Sequence, residues 1–277
     1  MARRSLLPDP ARSRVLAGAL LWRMRRERLR NLATVFLPFV LTIASTVVLP
    51  LVSDDRGVNG AADSARLGLR YGATGDTIAA GLLLVLVPGV LAMHGTIGAG
   101  LAVRNVIGAE AGVGALEAML AAPYNPADIA GGLLGYVLVV TTGQWMVMSA
   151  IGAAAMAIAT RLHHDSLAPT GGYLALALGL PLLASWAGAA LALLLNLLFP
   201  RLAQPGQGGL AGNGGGLVTV VALLPGFGVL LALALGLTEL GPVRLLLIAG
   251  GATVLITVGS LAGIARGFRP ESVLGSS

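Results

Sequence analysis

The sequence contains no lysine and no cysteine, and each absence excludes a class of chemistry. All 18 basic residues are arginines. A Walker A phosphate loop needs its lysine to reach the nucleotide phosphates, so the chain cannot hydrolyse ATP through such a loop of its own. Without cysteine, the chain forms no disulfide and binds no metal through thiolates.

Charge is also scarce. Charged residues make up 11% of the 277 residues and hydrophobic residues 56%, whereas soluble domains carry about 25% charged residues. Six apolar runs have the length of about 20 residues that a helix needs to cross a bilayer. They occupy residues 31–52, 77–103, 129–160, 173–199, 217–237 and 244–265. The sequence therefore predicts an all-α integral membrane protein with one bundle of six transmembrane helices over residues 31–265.

The arginines are distributed unevenly around these runs. Nine of them precede the first run, which places the N-terminus in the cytoplasm by the positive-inside rule. Six spans would return the tail, residues 266–277, to the same side. The net charge of +6 is thus a signal of topology and does not indicate a nucleic-acid partner. A cleavable signal peptide is the alternative for the first run, but its apolar region is shorter, about 7 to 15 residues.

The basic segment at residues 1–30 precedes the bundle. Residues 11–30 show the pattern of an amphipathic helix in the cytoplasmic interface, where anionic lipid attracts arginine. This helix is either an elbow that enters the bundle or a simple anchor. The preference for arginine, glycine and alanine is typical of a GC-rich bacterial genome. We expect a multi-pass protein of the bacterial cell membrane with both termini in the cytoplasm.

Few polar side chains interrupt the spans, and the candidates are His94, Gln144 and Asn196. Intramembrane ionisable groups are candidates for a transport pathway, although such groups also serve as hydrogen bonds between helices. No Asp, Glu or Arg relay of the kind that an ion-coupled carrier needs is seen in the middle of the spans, which argues against this class. An ion-coupled or passive multi-pass carrier is kept as the alternative. The adjacent pair His163 and His164 lacks helical metal-ligand spacing, so no metal site is expected. No catalytic residue is predicted, because no Gly-x-Ser-Gly or paired-glutamate protease motif occurs.

A polar-flanked segment separates the second and third runs. Within it, Val113, Leu116 and Leu120 recur at helical spacing and form an apolar stripe. Glu110 and Glu117 lie on a neighbouring face that we expect to contact water. Prolines then prevent continuation of the helix. This short amphipathic helix is suited to docking on a cytoplasmic protein, and an ordinary interfacial helix is the alternative.

The same segment resembles the cytoplasmic coupling segment of ABC-2 type exporter permeases. That segment has an acidic residue, then Gly-Thr-Leu-Glu, two leucine-like residues and a proline, followed by an acidic-Ile pair. The matching residues here are Glu110, Gly114, Leu116, Glu117, Met119, Leu120, Pro123, Asp128 and Ile129. The chain departs from the pattern at Ala115, where threonine is usual, and at Leu133, where lysine often occurs. Only residues 238–243 separate the fifth and sixth runs, so the external re-entrant segment of the family is not evident.

The resemblance implies a permease subunit that forms the translocation pathway of an exporter. It assigns coupling to the ATPase to Glu110, Gly114, Leu116, Glu117, Leu120 and Pro123. The implied partners are ABC ATPase subunits, a second copy of the permease or a homologous permease, and the lipid bilayer. ATP and magnesium would bind the partner ATPase, and no cofactor is expected on this chain.

Overall fold

The computed structural model describes residues 8–23, 35–46, 61–112, 119, 124–162, 167–199 and 216–267. This part of the chain contains eight helices and no strand, which confirms the all-α prediction. The helices are α1 (Pro10–Arg23), α2 (Val35–Thr46), α3 (Ala61–Arg70), α4 (Thr77–Gly112), α5 (Pro126–Leu162), α6 (Gly171–Leu198), α7 (Gly216–Gly236) and α8 (Gly241–Gly267).

Four of these helices, α4, α5, α6 and α8, are long and apolar enough to cross a membrane. They coincide with four of the six predicted spans. The apolar stretches described in α2 and α7 are shorter, at Val35–Thr46 and Val220–Gly236. A bundle of six spans therefore stays a prediction, as does the placement of α1 as an elbow in the membrane interface.

Helix α4 continues beyond the apolar run from which it was predicted. The run was expected to end at Val103, whereas the helix continues to Gly112. The buried side chains of Val103, Val106 and Glu110 extend one helical stripe at spacings of three and four residues. Hydropathy falls at Arg104 because that side chain is polar, but the core-facing side of the helix stays buried.

The centre of the bundle is the pair α4 and α6. Helix α4 packs on α3, α5, α6 and α7, and α6 also contacts α5, α7 and α8. Small residues allow α4, α6 and α7 to approach closely. A Cβ atom at Gly188 would lie 2.9 Å from the carbonyl oxygen of Ala222, and one at Gly226 would lie 2.8 Å from the hydroxyl oxygen of Thr96.

Helix α3, which was not predicted, connects the helices at one end of the bundle. The guanidinium of Arg70 donates to the carbonyl oxygen of Thr238, in the turn between α7 and α8, at 3.0 Å. The backbone N–H of Ala168, which precedes α6, donates to the carbonyl oxygen of Tyr71 at 3.0 Å. Helix α1 packs against α5 at the opposite end, where α4 ends and α5 begins.

Candidate functional site

The end of α4 carries Glu110, the first residue of the predicted coupling segment. Its side chain is 0% exposed, and its Oε2 atom lies 2.9 Å from Nη2 of Arg23 at the end of α1. This contact is an ion pair by distance but lacks the alignment of a hydrogen bond. The expectation that the Glu110 carboxylate contacts water is therefore wrong, because α4 remains helical to Gly112 and the carboxylate meets the last residue of α1.

The start of α5 carries a second buried carboxylate, Asp128. Its Oδ2 atom accepts the backbone N–H of Asn125 at 3.3 Å, as the third helical residue does in a capping box. Its Oδ1 atom accepts the backbone N–H of Asp9 at 2.7 Å. Nη1 of Arg12 lies 3.7 Å from Oδ2. Asp128 therefore caps α5 and at the same time holds the beginning of α1.

Glycines on α5 make room for α1 beside Asp128. A Cβ atom at Gly131 would lie 2.6 Å from the hydroxyl oxygen of Ser13, and one at Gly132 would lie 2.6 Å from Cβ of Leu16. Ordinary side chains do not fit at these distances. The two glycines thus form the surface against which α1 packs, and the two carboxylates connect α1 to the ends of α4 and α5. We call this arrangement the α1 junction.

The α1 junction holds both ends of the segment that resembles a coupling segment. The side chain of Met119, within that segment, is partly buried against the core cluster that includes Val106 and Ile129. The other predicted coupling residues, Gly114, Leu116, Glu117, Leu120 and Pro123, lie outside the described residues. Their role in coupling stays a prediction.

Of the three polar residues predicted within the spans, His94 connects two helices. Its Nε2 atom lies 3.4 Å from the hydroxyl of Thr42 on α2, and its Nδ1 atom lies 3.1 Å from the carbonyl oxygen of Val90 on its own helix. Its ring also packs edge-on against Phe39 of α2 at 5.5 Å between ring centroids. These contacts connect α2 to the middle of α4.

Gln144 and Asn196 are both buried but differ in their hydrogen bonds. The amide of Asn196 donates to the carbonyl oxygen of Ala192, one turn earlier on α6, at 2.7 Å. Neither polar atom of the Gln144 amide has a hydrogen-bond partner, and Gly98 on α4 leaves the space that its Oε1 atom occupies. Gly98 lies one turn from His94, so Gln144 and His94 both lie along the α2-facing side of α4. Asn196 bonds within its own helix.

Sequence reasoning did not identify Arg23, Arg12 or the glycines of α5 as parts of the site. A local signal was available for Asp128, because it follows Asn125 and Pro126 at the spacing of a helix start. Arg23 has no such signal. It is one of nine N-terminal arginines, and only the packing of α1 on α5 selects it as the partner of Glu110.

Comparison with known proteins gives no match: no family model, no curated protein and no solved structure matches the chain.

Proposed function

We propose that the chain is the permease subunit of an ATP-driven ABC exporter of the ABC-2 type. Two permease copies, or one copy with a homologous permease, would form the translocation pathway. Separate ATPase subunits would bind the cytoplasmic side and supply ATP and magnesium. The proposal places both termini in the cytoplasm of a bacterial cell.

The observation that carries the proposal is the α1 junction. A connecting segment that only joined two spans would not need a buried carboxylate at each end, and burying such a charge costs several kcal/mol unless it is paired. Here Glu110 and Asp128 are held by α1 on either side of residues 113–123. A displacement of that segment would be passed to the ends of α4 and α5 together. This is what coupling between an ATPase and a membrane bundle requires.

The polar residues of the spans support a pathway between α2, α4 and α5. Gln144 keeps a hydrogen-bonding amide in an apolar bundle without a partner, which is costly and favours a functional reason for its presence. Opening of α2 away from α4 would expose both Gln144 and His94. Asn196 lies on α6 and would contribute from a different helix.

The second candidate, an ion-coupled or passive carrier, is favoured by His94. This residue is an ionisable group within α4 and contacts Thr42 on α2. Transport that is abolished by a proton uncoupler and proceeds without any ATPase would favour the carrier over the exporter.

The experiment that tests the exporter proposal compares two substitutions of equal charge change. The permease is co-expressed with its cognate ABC ATPase, reconstituted in nanodiscs, and assayed for complex formation and ATP hydrolysis. Glu117→Arg should weaken the complex about tenfold, equivalent to about 1.4 kcal/mol, because charge matching at a contact rim is reversed. Glu271→Arg in the tail is the control and should leave the complex unchanged.

The exporter proposal is refuted if the wild-type chain forms no complex with that ATPase and does not alter its hydrolysis. A normal complex with Glu117→Arg would instead remove the role of residues 110–123 as the contact to the ATPase.

A further inference from the structure

A concave feature lies away from the α1 junction, between α6, α7 and α8. It is a groove of about 240 Å³ that opens on the outer surface of the bundle. Helices α7 and α8 both pack on α6 and touch each other little, which leaves the groove between them. Small residues from all three helices form it: Ala184, Ala187, Gly228, Ala232, Ala249 and Ala252.

The lining of the groove is apolar. The hydroxyl of Thr253 is its one polar side-chain group, and this hydroxyl already donates to the carbonyl oxygen of Leu183 at 3.2 Å. An occupant would find no free side-chain donor along the lining, because the one hydroxyl proton is already used. The volume is also below the range of about 300–1,000 Å³ that is typical of pockets for drug-sized ligands. These properties fit a single hydrocarbon chain.

The length of the groove matches the depth of one leaflet. On α8 it runs from Leu245 to Ile256, which is about 16 Å along the axis at 1.5 Å per residue. Half of the hydrocarbon core of a bilayer is about 15 Å. Helix α8 has 27 residues and a length of about 40 Å, so with the helix centred in the bilayer about 5 Å would extend beyond the hydrocarbon at each end. The groove therefore begins near one hydrocarbon boundary and ends near the centre of the bilayer.

A positive charge lies at the boundary end of the groove. Arg244 is in the first turn of α8 and is exposed, four residues before Ile248 and eight before Ala252, which both line the groove. Residues at this spacing share one helix face, so Arg244 continues the lining toward the headgroups. In the described part of the chain Arg244 has no ion-pair partner. A phosphate group there would complement its charge.

From this arrangement we infer that the groove is a binding site for one phospholipid. One acyl chain lies in the groove between α6, α7 and α8, and the phosphate pairs with Arg244. The inference does not depend on an ATPase or on which side of the membrane α8 begins, because phosphate headgroups are present at both surfaces. It adds a lipid site to the chain and assigns Arg244 a ligand.

The test measures phospholipid binding by native mass spectrometry of the full chain, purified in detergent and titrated with dioleoylphosphatidylglycerol. The wild type should retain one phospholipid at detergent concentrations that remove the others. Ala249→Phe fills the groove and should abolish this adduct. Arg244→Gln should weaken it about fivefold, which corresponds to about 1 kcal/mol for one basic residue at a headgroup. Dioleoylglycerol, which lacks the phosphate, should bind equally to the wild type and to Arg244→Gln.

Two matched substitutions control for unspecific effects. Ala234→Phe places the same ring on an exposed position of α7 outside the groove, and Arg161→Gln removes an exposed arginine from the end of α5. Both should retain the adduct. Ala252→Leu is the second groove-filling variant in case Ala249→Phe does not fold, since Ala252 is exposed and tolerates a larger side chain.

Three results would overturn the inference. The first is an unchanged adduct in a folded groove-filling variant. The second is an equal loss in Arg161→Gln, which would indicate unspecific attraction to surface charge. The third is a wild-type dimer that Ala249→Phe dissociates without changing lipid binding, because a second copy would then occupy the groove. The exporter proposal is tested separately by the ATPase complex, so either can fail alone.

Discussion

The pair Arg23 and Glu110 should respond very differently to loss of one partner or the other. The guanidinium side chain is 46% exposed, whereas the carboxylate side chain is 0% exposed. Arg23→Met leaves a buried carboxylate without its ion-pair partner. Glu110→Leu leaves a guanidinium that water already reaches and that needs no protein partner. We therefore expect Arg23→Met to destabilise the protein and Glu110→Leu to have little effect.

The difference in stability loss between Arg23→Met and Glu110→Leu follows from the exposure of the guanidinium and the carboxylate. Breaking a buried ion pair costs about 3–5 kcal/mol, and because Arg23 is half exposed we expect a cost of about 3 kcal/mol for this pair. Loss of the carboxylate should cost at most about 1 kcal/mol, as for an exposed pair. In the double variant no buried charge remains, so its stability should approach that of the wild type. The coupling between the two substitutions is then about 3–4 kcal/mol, because the double variant recovers nearly all that the single variants lose.

The assay is thermal unfolding in detergent, followed by intrinsic fluorescence. At about 2 °C per kcal/mol for a chain of this length, Arg23→Met should lower the melting temperature by about 6 °C. Arg14→Met removes an exposed arginine from the same helix and should change it by less than about 2 °C. The reasoning is refuted if Glu110→Leu destabilises as much as Arg23→Met, or if the effects of the two substitutions simply add in the double variant.

Three further substitutions on α5 should change stability in predictable directions. Gly132→Ala places a Cβ atom against α1 and should cost about 1–3 kcal/mol of stability by overpacking. The control Gly143→Ala places a Cβ atom that meets no atom within 4 Å, and it should stabilise the helix by up to about 1 kcal/mol. Equal melting temperatures of the two variants would contradict the packing of α1 on α5. Gln144→Leu removes an amide with no hydrogen-bond partner, so it should raise stability by about 1–3 kcal/mol while impairing transport. A lower melting temperature would show that the amide is hydrogen-bonded in the folded protein.

The long spans could be predicted from the sequence because an apolar run reports contact with lipid directly. The run at residues 129–160 corresponds to α5 (Pro126–Leu162), and the run at 244–265 corresponds to α8 (Gly241–Gly267). The same signal failed where a helix continues with one buried side and one polar side. Helix α4 extends past Arg104 for this reason, and hydropathy alone ends it too early.

The α1 junction could be predicted only in part. Asp128 is part of a capping sequence, so its place at the start of α5 has a local cause. The ion pair of Glu110 has no local cause, because its partner Arg23 lies on a helix that is distant in the sequence. A carboxylate that stands between apolar residues in the sequence can lie on either a solvent-exposed or a buried face of a helix. Tertiary packing decides whether such a face is exposed or buried, whereas helical periodicity alone predicted that the Glu110 side chain contacts water.

The attachment of α1 also determines when it can fold during synthesis. Asp9 and its partner Asp128 are separated by 119 residues. At a synthesis rate of about 5–20 residues per second, the partner emerges from the ribosome about 6–24 s after Asp9. For most of that interval Arg12 lacks Asp128 and Arg23 lacks Glu110, because both carboxylates are synthesised long after α1. Docking of α1 on α5 is therefore a late step of synthesis, and a nascent chain stalled before residue 126 would hold α1 without its contacts to Asp128.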